Sequence, residues 1–425
     1  MKQQLTRLLL FFSLCTSAQE VSFSKLSEFV VTPEILLGIS AEANDFFPDR
    51  DLQKQLILGF GRKHDHNPQE WAYWLKAPKT GLTLGYTDLG NSEALGSILS
   101  VMPFLEFDVF NRRKKDMKVL IGLGGSYFNK KYDPEDNPFN QAVTTRVTWS
   151  FRASYFYEFL KTQKVDYRLG LVYYHHSNGH TQLPNQGYNS FLVSLSADIK
   201  NPYNLAIPEA TSEEKTIPEK TVYDYLSVRL GSGRNTLALA FNDKKPVYSF
   251  AGEYGKVWNK TYKIGIGFYY RYYQHYYDYI KGNESLVQEG EEFENYKSDP
   301  FWNASAVGLY LNSEFLLNHF GIEINLGANL FKPAYKIDWR INEGWDNAPR
   351  DIPGNWVYGE FTTKYQLKQI VYSRLGLKYY LLGTDQVPTH NIYVGAHINA
   401  NLGQADFSEV SLGYTYSFQP KKKGS

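Results

Sequence analysis

Residues 165–200 read VDYRLGLVYYHHSNGHTQLPNQGYNSFLVSLSADIK, and the two ends of this stretch alternate regularly between apolar and polar side chains. Successive side chains of a β-strand point to opposite faces, so residues of one parity share a face. The apolar parity consists of Tyr167, Leu169, Leu171 and Tyr173 at one end, and of Phe191, Val193, Leu195, Ala197 and Ile199 at the other. The residues of the opposite parity are a mixture of apolar, polar and charged side chains. The stretch therefore predicts two strands, each with one apolar and one polar face.

Which of these faces meets water depends on the surroundings of the strands. In a soluble protein the apolar parity would be buried and the polar parity would be wet. In a membrane barrel the assignment inverts, because the apolar parity contacts lipid and the polar parity lines the lumen. The amino terminus decides between these two cases.

The segment 1–18 has the features of a secretory signal peptide. Lys2 and Arg7 precede the apolar run Leu8–Leu14, and Thr16-Ser17-Ala18 supplies the small residues that a signal peptidase requires. The single cysteine of the chain lies inside this segment. We therefore expect a secreted mature chain, residues 19–425, without disulfide bonds.

The composition favours a membrane barrel over a soluble enzyme. Aromatic residues make up 16% of the chain, with 34 Tyr and 27 Phe, while the mean hydropathy is negative. No segment of the mature chain approaches the roughly 18 uninterrupted apolar residues of a spanning helix. Abundant aromatics without a spanning helix indicate tilted strands with aromatic girdles. The net charge of +1 gives no argument for a nucleic-acid partner.

Alternating segments follow one another almost from end to end of the mature chain. In the first half they are Glu34–Ala43, Gln53–Arg62, Gly81–Asp88, Gly96–Phe107, Met117–Phe128, Val143–Phe159, Val165–Ser177 and Tyr188–Lys200. In the second half they are Tyr223–Leu230, Asn235–Asn242, Val247–Tyr254, Tyr262–Tyr273, Ala304–Phe315, Gly321–Phe331, Val357–Tyr365, Val371–Leu382, Asn391–Asn401 and Phe407–Phe418. Since short neighbouring pieces can belong to one strand, and bacterial single-chain barrels have even strand numbers, we expect about 14 strands, with roughly 12 to 18 allowed. The predicted fold is an all-β, antiparallel transmembrane barrel of the outer membrane, forming one domain over residues 19–425.

His175 and Ser177 stand out within this framework as a candidate reaction centre. They lie two apart on the apolar parity, so their side chains project side by side, whereas His176 points to the other face. A nucleophilic serine requires at least a neighbouring base, such as an imidazole, to accept the proton of its hydroxyl. The alternative is a polar cluster at the membrane interface that performs no chemistry.

The residues around this pair resemble a known active-site segment. The pattern His175-x-Ser177-Asn178-Gly179, followed by Pro184-Asn185-x-Gly187-x-Asn189, is similar to that of the PagL-type lipid A 3-O-deacylases and of their longer outer-membrane relatives, the acyloxyacyl hydrolases. H-x-S alone is a weak signal, but S-N and then P-N-x-G at a matching gap make it fairly specific. Trp71–Gly96 and the segment that begins at His397 also resemble the longer relatives. The best-understood deacylases are small barrels, so the remaining chain predicts extra strands or loops.

The resemblance implies an ester hydrolase that removes an acyl chain from lipid A. Ser177 would be the nucleophile, and His175 would be the general base that later protonates the leaving sugar hydroxyl. Asn189 stands where the small deacylases have a glutamate that orients the histidine. An asparagine can hold an imidazole tautomer, but it cannot stabilise an imidazolium as a carboxylate does. Asp166 and Asp198 are alternative sources of an acid, although both lie on the lumen parity.

The resemblance also implies a set of supporting residues. Asn185, together with backbone N–H groups near Gly179 and His180, would donate hydrogen bonds to the oxyanion of the tetrahedral intermediate. Asn178 would support that loop. This mechanism needs no metal or other cofactor. The implied partner is lipid A, lipopolysaccharide or another membrane lipid, in the outer membrane of a Gram-negative bacterium.

A second hypothesis from a different class stays open at this point. The chain would then be a non-enzymatic outer-membrane barrel, either a channel or a structural subunit of an outer-membrane assembly with a protein partner, that retains a degenerate deacylase motif. A soluble periplasmic β-sandwich is a more distant third alternative.

Two further motifs have structural interpretations. The run Phe268–Tyr279, FYYRYYQHYYDY, indicates an interfacial aromatic belt more than a sugar-stacking surface. His64-Asp65-His66 resembles a metal-binding pair but lacks a third ligand, which favours a solvated loop.

Overall fold

The chain folds into two separate closed barrels in a computed structural model that describes residues 28–109, 116–200, 217–343 and 357–418. Each barrel has eight antiparallel strands that follow one another in chain order, and each closes by pairing its last strand with its first. We call them the N-terminal barrel and the C-terminal barrel. Alternating side chains explain the strands, because each strand is bordered by lipid on one face and by a packed lumen on the other.

The N-terminal barrel comprises strands β1 to β8. Their bounds are β1 Glu28–Ser40, β2 Gln53–Lys63, β3 Lys79–Asp88, β4 Ser97–Asp108, β5 Met117–Phe128, β6 Val147–Lys161, β7 Val165–Ser177 and β8 Tyr188–Lys200. Residues 165–200 therefore form the last hairpin of this barrel, in which His175 pairs with Asn189.

The C-terminal barrel comprises strands β9 to β16. Their bounds are β9 Val222–Asn235, β10 Lys245–Trp258, β11 Tyr262–Tyr273, β12 Ser305–Leu317, β13 Phe320–Phe331, β14 Val371–Tyr380, β15 His390–Asn401 and β16 Gln404–Ser417. Strand β16 pairs with β15 on one side and with β9 on the other, which closes this barrel.

The prediction of one barrel of about 14 strands is wrong in architecture, because the sixteen strands of the described residues close in two groups of eight. Two predicted segments are not strands. Asn235–Asn242 is mostly a loop after β9, and Val357–Tyr365 leads into a helix. Alternation reveals which face of a strand is apolar but not which strands pair, so it cannot distinguish one large barrel from two small ones. The predicted signal peptide lies outside the described residues.

The apolar parity faces outward in both barrels, as expected for a membrane barrel. Leu171 on β7 is 66% exposed and Leu412 on β16 is 59% exposed. On the opposite parity, the side chains of Arg168 and Arg374 are each only 1% exposed, although both carry charge. The outer walls are thus apolar and the interiors polar, which inverts the pattern of a soluble protein.

The interior of each barrel is filled with ion pairs. In the N-terminal barrel, Lys79 contacts Asp198 at 2.8 Å and Glu106 at 3.0 Å, and Arg168 contacts Glu106 at 2.9 Å. A cavity in this lumen has a volume of about 10 Å³, close to the minimum for one water molecule. In the C-terminal barrel, Arg374 contacts Glu409 at 2.7 Å. Eight strands leave an interior just wide enough for such side chains.

Helices lie outside the strands and cover parts of the barrel ends. They are α1 Glu70–Trp74, α2 Gln274–Lys281, α3 Pro300–Asn303, α4 Tyr335–Asn342 and α5 Thr363–Ile370, with short 3-10 turns at Ser285–Val287, Glu294–Ser298 and Thr384–Gln386. Within the described part of the chain, no helix has both the length and the apolar character needed to cross a bilayer.

The aromatic run Phe268–Tyr279 does not form the predicted belt as a whole. Tyr269 and Tyr273 point into the C-terminal barrel. Tyr276 and Tyr279 are residues of α2 and pack in an apolar cluster above this barrel. The run continues from a strand into a helix, so the inward parity of the strand leads directly into the buried face of the helix. Much of this aromatic surface serves packing.

The two barrels contact each other at both ends. At the end that carries the long loops, Trp149 Nε1 donates to Ser408 Oγ at 2.8 Å. At the opposite end, Lys260 Nζ lies 2.7 Å from a carboxylate oxygen of Glu70 on α1. The barrels therefore lie side by side.

Candidate active site

His175 and Ser177 lie at the end of β7, on the outward face of the N-terminal barrel. The sequence predicted this face correctly. Exposure nevertheless falls sharply along it, from 66% at Leu171 to 3% at Ser177. The loop 178–187 and the neighbouring C-terminal barrel cover the end of the strand, so the site is a sheltered part of an otherwise lipid-facing wall.

The His175 ring is held by the neighbouring strand. Its Nδ1 lies 2.7 Å from Asn189 Oδ1, and the hydroxyl of Tyr173 donates to the same oxygen at 2.8 Å. An amide oxygen only accepts hydrogen bonds, so Nδ1 carries the proton and Nε2 keeps a free lone pair. This tautomer is the one that a general base requires. Asn189 can orient the ring, but it brings no negative charge.

The Ser177 hydroxyl receives two hydrogen bonds from the loop that follows it. Asn185 Nδ2 donates to Ser177 Oγ at 2.8 Å, and the backbone N–H of Gly179 donates to it at 3.2 Å. The Asn185 side chain is fixed in turn, because its Oδ1 accepts from the backbone N–H of Asn178 at 3.0 Å. A side-chain donor and a backbone donor thus converge on one oxygen.

Among the described residues, no hydrogen bond joins the His175 ring to the Ser177 hydroxyl. The serine–histidine pair that is bonded is Ser150 with His176, whose Oγ and Nδ1 are 2.8 Å apart on the lumen face. Both of these residues are buried among lumen side chains. Catalytic hydrogen bonds are often long in unliganded enzymes and tighten when the substrate binds.

The loop 178–187 has a fixed shape. Asn178 Nδ2 donates to Gln182 O at 2.6 Å, and Gly179 and His180 have left-handed backbones with φ of 67° and 63°. Gly187, with φ of 81°, packs so closely on His175 that an added Cβ would lie 2.9 Å from its Cε1. The backbone of this loop therefore sets the position of the side chains around it.

Residues of the C-terminal barrel hold the loop from the other side. The Asn242 amide accepts from Leu183 N–H at 2.8 Å and donates to Leu183 O at 2.7 Å. The N–H of Thr236 donates to His180 O at 3.1 Å. Gly179 lies directly against Ser408. No sequence motif indicated these contacts, because they join positions far apart in the chain.

The structure rules out the two acids considered as substitutes for the missing glutamate. Asp198 accepts hydrogen bonds from Lys79 and Thr32 inside the N-terminal barrel. Asp166 contacts Lys200 and Lys63 at the end of the barrel opposite to Ser177. Both carboxylates face the lumen and are neutralised there, so neither reaches His175.

The His64 motif is also different from expectation. His64 is 6% exposed, its Nε2 lies 2.8 Å from Thr80 Oγ1, and its ring packs edge-on against Trp71. Burial, with a smaller contribution from Arg62, lowers the pKa of His64 to about 4. His64 itself is a buried packing residue, whereas Asp65 and His66 are exposed, so the predicted solvated loop holds for these two residues only. Across the described ranges of the chain, no group of three or more side chains is arranged to hold a metal ion.

Two closed antiparallel barrels with apolar outer walls and polar interiors define an outer-membrane β-barrel protein. Residues 58–198 match the model of the lipid A 3-O-deacylase (PagL) family, and residues 223–341 match that of the acyloxyacyl hydrolase C-terminal domain. These matches confirm the similarity to PagL-type deacylases and their longer acyloxyacyl hydrolase relatives that the motif predicted, and the protein is one of the Gram-negative outer membrane. The two family models fall one on each barrel.

Comparison with solved structures finds other outer-membrane barrels at low similarity. The outer-membrane enzyme PagL is 15% identical over 39% of this chain and 97% of that chain, with a TM-score of 0.28. A designed transmembrane β-barrel is 11% identical over 40% of this chain and 95% of that chain, with a TM-score of 0.21. OccK5 (OpdH) of Pseudomonas aeruginosa is 10% identical over 93% of this chain and 98% of that chain, with a TM-score of 0.19. TM-scores this low carry no argument about function. No protein of curated function matches the chain.

Proposed function

We propose that this protein is an outer-membrane serine esterase that removes an ester-linked acyl chain from lipid A or a related glycolipid. The observation that carries the proposal is the arrangement around Ser177. Two donors, from Asn185 and Gly179, converge on its hydroxyl, and the neighbouring His175 is fixed by Asn189 as the tautomer that accepts a proton. The family matches give the class of substrate.

The reaction begins with attack of Ser177 Oγ on the ester carbonyl of the acyl chain. His175 Nε2 takes the proton of the hydroxyl, and the new oxyanion is stabilised by Asn185 Nδ2 and the Gly179 N–H. Collapse of the tetrahedral intermediate breaks the bond to the sugar oxygen, which leaves with the proton from His175. Water, activated by the same imidazole, then hydrolyses the acyl-enzyme and releases a fatty acid.

In the absence of a bonded His175–Ser177 pair, substrate binding must bring Nε2 and Oγ together. Asn189 leaves the imidazolium without a carboxylate partner, so a slower turnover than that of a triad with an acid is expected. The reaction nevertheless needs only groups that this chain supplies.

The channel hypothesis loses support from the filled interiors. Lys79 and Arg168 pair with Asp198 and Glu106 inside the N-terminal lumen, and the cavity that the two cations border is about 10 Å³. A route for solutes through an eight-stranded barrel would require these paired charges to separate. A protein partner in an outer-membrane assembly stays a prediction.

The test is the acyl composition of lipid A in cells that express the protein. Mass spectrometry of lipid from cells with the wild type is expected to show loss of one acyl chain, and the Ser177→Ala variant should restore the intact lipid. Ser150→Ala, which removes the buried serine bonded to His176, is the matched control and should leave the lipid modified. Identical spectra for the wild type and Ser177→Ala would remove the enzymatic assignment.

A further inference from the structure

The crevice between the two barrels contains Ser177. It has a volume of about 1050 Å³ and is also lined by His175 and Asn185. Ligand pockets have volumes of roughly 300–1,000 Å³, so this one lies at the upper end of that range. The nucleophile candidate therefore faces a space that the N-terminal barrel alone would not enclose.

Both barrels contribute apolar side chains to the lining of the crevice. The N-terminal barrel contributes Leu123, Phe151 and Tyr173, and the C-terminal barrel contributes Leu375, Ile398 and Ala400. All six belong to the outward-facing surfaces of strands. The same surfaces continue away from the site as exposed apolar bands. Apolar side chains of both barrels therefore offer contact surface to an alkyl chain inside the crevice.

The far end of the crevice carries positive charge from helix α5. Lys364 and Lys368 lie one helical turn apart and both border the crevice. Lys364 Nζ is 2.9 Å from Glu343, and Lys368 Nζ is 2.7 Å from the side chain of Gln404. Glu343 also lies 3.7 Å from Lys368 Nζ, so one carboxylate contacts both ammonium groups. The Lys364 side chain is 59% exposed and is therefore accessible to an incoming anion from solvent.

We propose that the crevice is the substrate site and that the C-terminal barrel selects the substrate: an acylated glycolipid with an anionic, phosphate-like head group. The acyl chain lies between the walls formed by Phe151 and Leu375, and the anionic group lies against Lys364 and Lys368. This inference rests on the proposed esterase function. It adds that half of the binding site belongs to the barrel that lacks the H-x-S motif.

The apolar wall is tested with Leu375→Trp, which narrows the crevice from the C-terminal side. The matched control is Leu412→Trp, the same change on the bare outer wall of the same barrel. The purified full-length variants are compared on lipid A in mixed micelles and on p-nitrophenyl butyrate, a small soluble ester. For Leu375→Trp, the ratio of kcat/KM on lipid A to that on the small ester is expected to fall about ten-fold, or about 1.4 kcal/mol. For Leu412→Trp the ratio should stay at the wild-type value.

The charged end is tested with the double variant Lys364→Gln and Lys368→Gln, against Lys256→Gln as the control on the opposite end of the barrel. Bisphosphorylated and dephosphorylated lipid A serve as the two substrates. The double variant should lower the preference for the phosphorylated form about ten-fold, mainly through KM. The control variant should leave this preference unchanged.

The outcomes separate this inference from the proposed function. If Ser177→Ala keeps activity on every substrate, the esterase mechanism is wrong. If Ser177→Ala is inactive but Leu375→Trp and the lysine variant keep both wild-type ratios, the crevice is not the substrate site. Should Leu375→Trp fail to fold, as judged by heat-dependent mobility in gel electrophoresis, Ile398→Trp makes the same test from the next strand.

Discussion

The side-chain amide of Asn242, in the C-terminal barrel, forms two hydrogen bonds with the backbone of Leu183, in the loop that carries Asn185. It therefore acts like one rung of a β-ladder between the barrels. The residue that donates to Ser177 is only two positions away along the same loop. A change in one barrel should consequently affect chemistry in the other.

Asn242→Ala leaves the N–H and C=O of Leu183 without these partners, which costs about 1–3 kcal/mol for each group that stays buried. The loop should loosen, and kcat should fall about 10- to 100-fold because the oxyanion donors are displaced. Asn391→Ala is the control, since Asn391 makes the same two bonds with Leu382 far from the site. Equal activity of the two variants would contradict the coupling.

Asn189→Ala removes the acceptor that fixes His175 Nδ1, and kcat should fall about 100-fold or more. Asn189→Asp supplies a carboxylate in its place and should raise kcat above that of the wild type, because a negative charge stabilises the imidazolium. Tyr173→Phe removes only the second bond to Asn189 and should have a smaller effect. Steady-state kinetics on a soluble ester gives kcat for all three variants. A wild-type kcat in Asn189→Ala would refute the proposal that Asn189 orients His175.

Gly187→Ala places a Cβ 2.9 Å from His175 Cε1 at a residue with φ of 81°. The ring should shift, and kcat should fall about 100-fold, as expected for a displacement of about 1 Å. Gly290→Ala is the matched control, because Gly290 has the same φ but nothing within 4 Å of the added Cβ. If both variants lose activity equally, backbone strain and not contact with the ring is responsible.

Glu34→Ala should strongly destabilise the N-terminal barrel. Arg152 Nη2 lies 2.7 Å from Glu34 Oε1, and both side chains are buried in the lumen. Loss of one partner of a buried ion pair costs about 3–5 kcal/mol. Thermal unfolding in detergent should show this loss, whereas Asp224→Ala, which breaks an exposed pair with Lys256, should leave the unfolding temperature nearly unchanged. A small effect of Glu34→Ala would mean that water enters the lumen.

Acidification should destabilise the protein through His64. Its pKa is lowered to about 4 in the folded state, from 6.5, so folding favours the neutral ring. This stabilisation is present above pH 6.5 and is lost progressively as the pH falls through 4. Unfolding temperatures measured between pH 7 and pH 4 should fall less for His64→Gln than for the wild type. An identical pH dependence of the two proteins would exclude His64 as a cause.

The sequence predicted most of the strands and the residues that lie around Ser177. Alternation from Tyr167 to Ile199 gave the β7–β8 hairpin and its outward face, and the motif brought Ser177, Asn185 and Asn189 into one neighbourhood. Both results depend on side chains close together in the chain. The pairing of strands, and the contact of Trp149 with Ser408 across 259 positions, depend on closure of the barrels, which a two-residue period does not encode.

The presence of both barrels on one polypeptide has a consequence for how activity depends on concentration. A crevice made by two separate molecules would come apart as the protein was diluted into excess lipid. Two halves on one chain, in which β8 ends at Lys200 and β9 begins at Val222, stay at a high effective concentration. Specific activity should therefore be the same in sparse and crowded vesicles. Each barrel can also acquire substitutions that the other barrel lacks. In a dimer of identical subunits, every substitution would occur in both subunits.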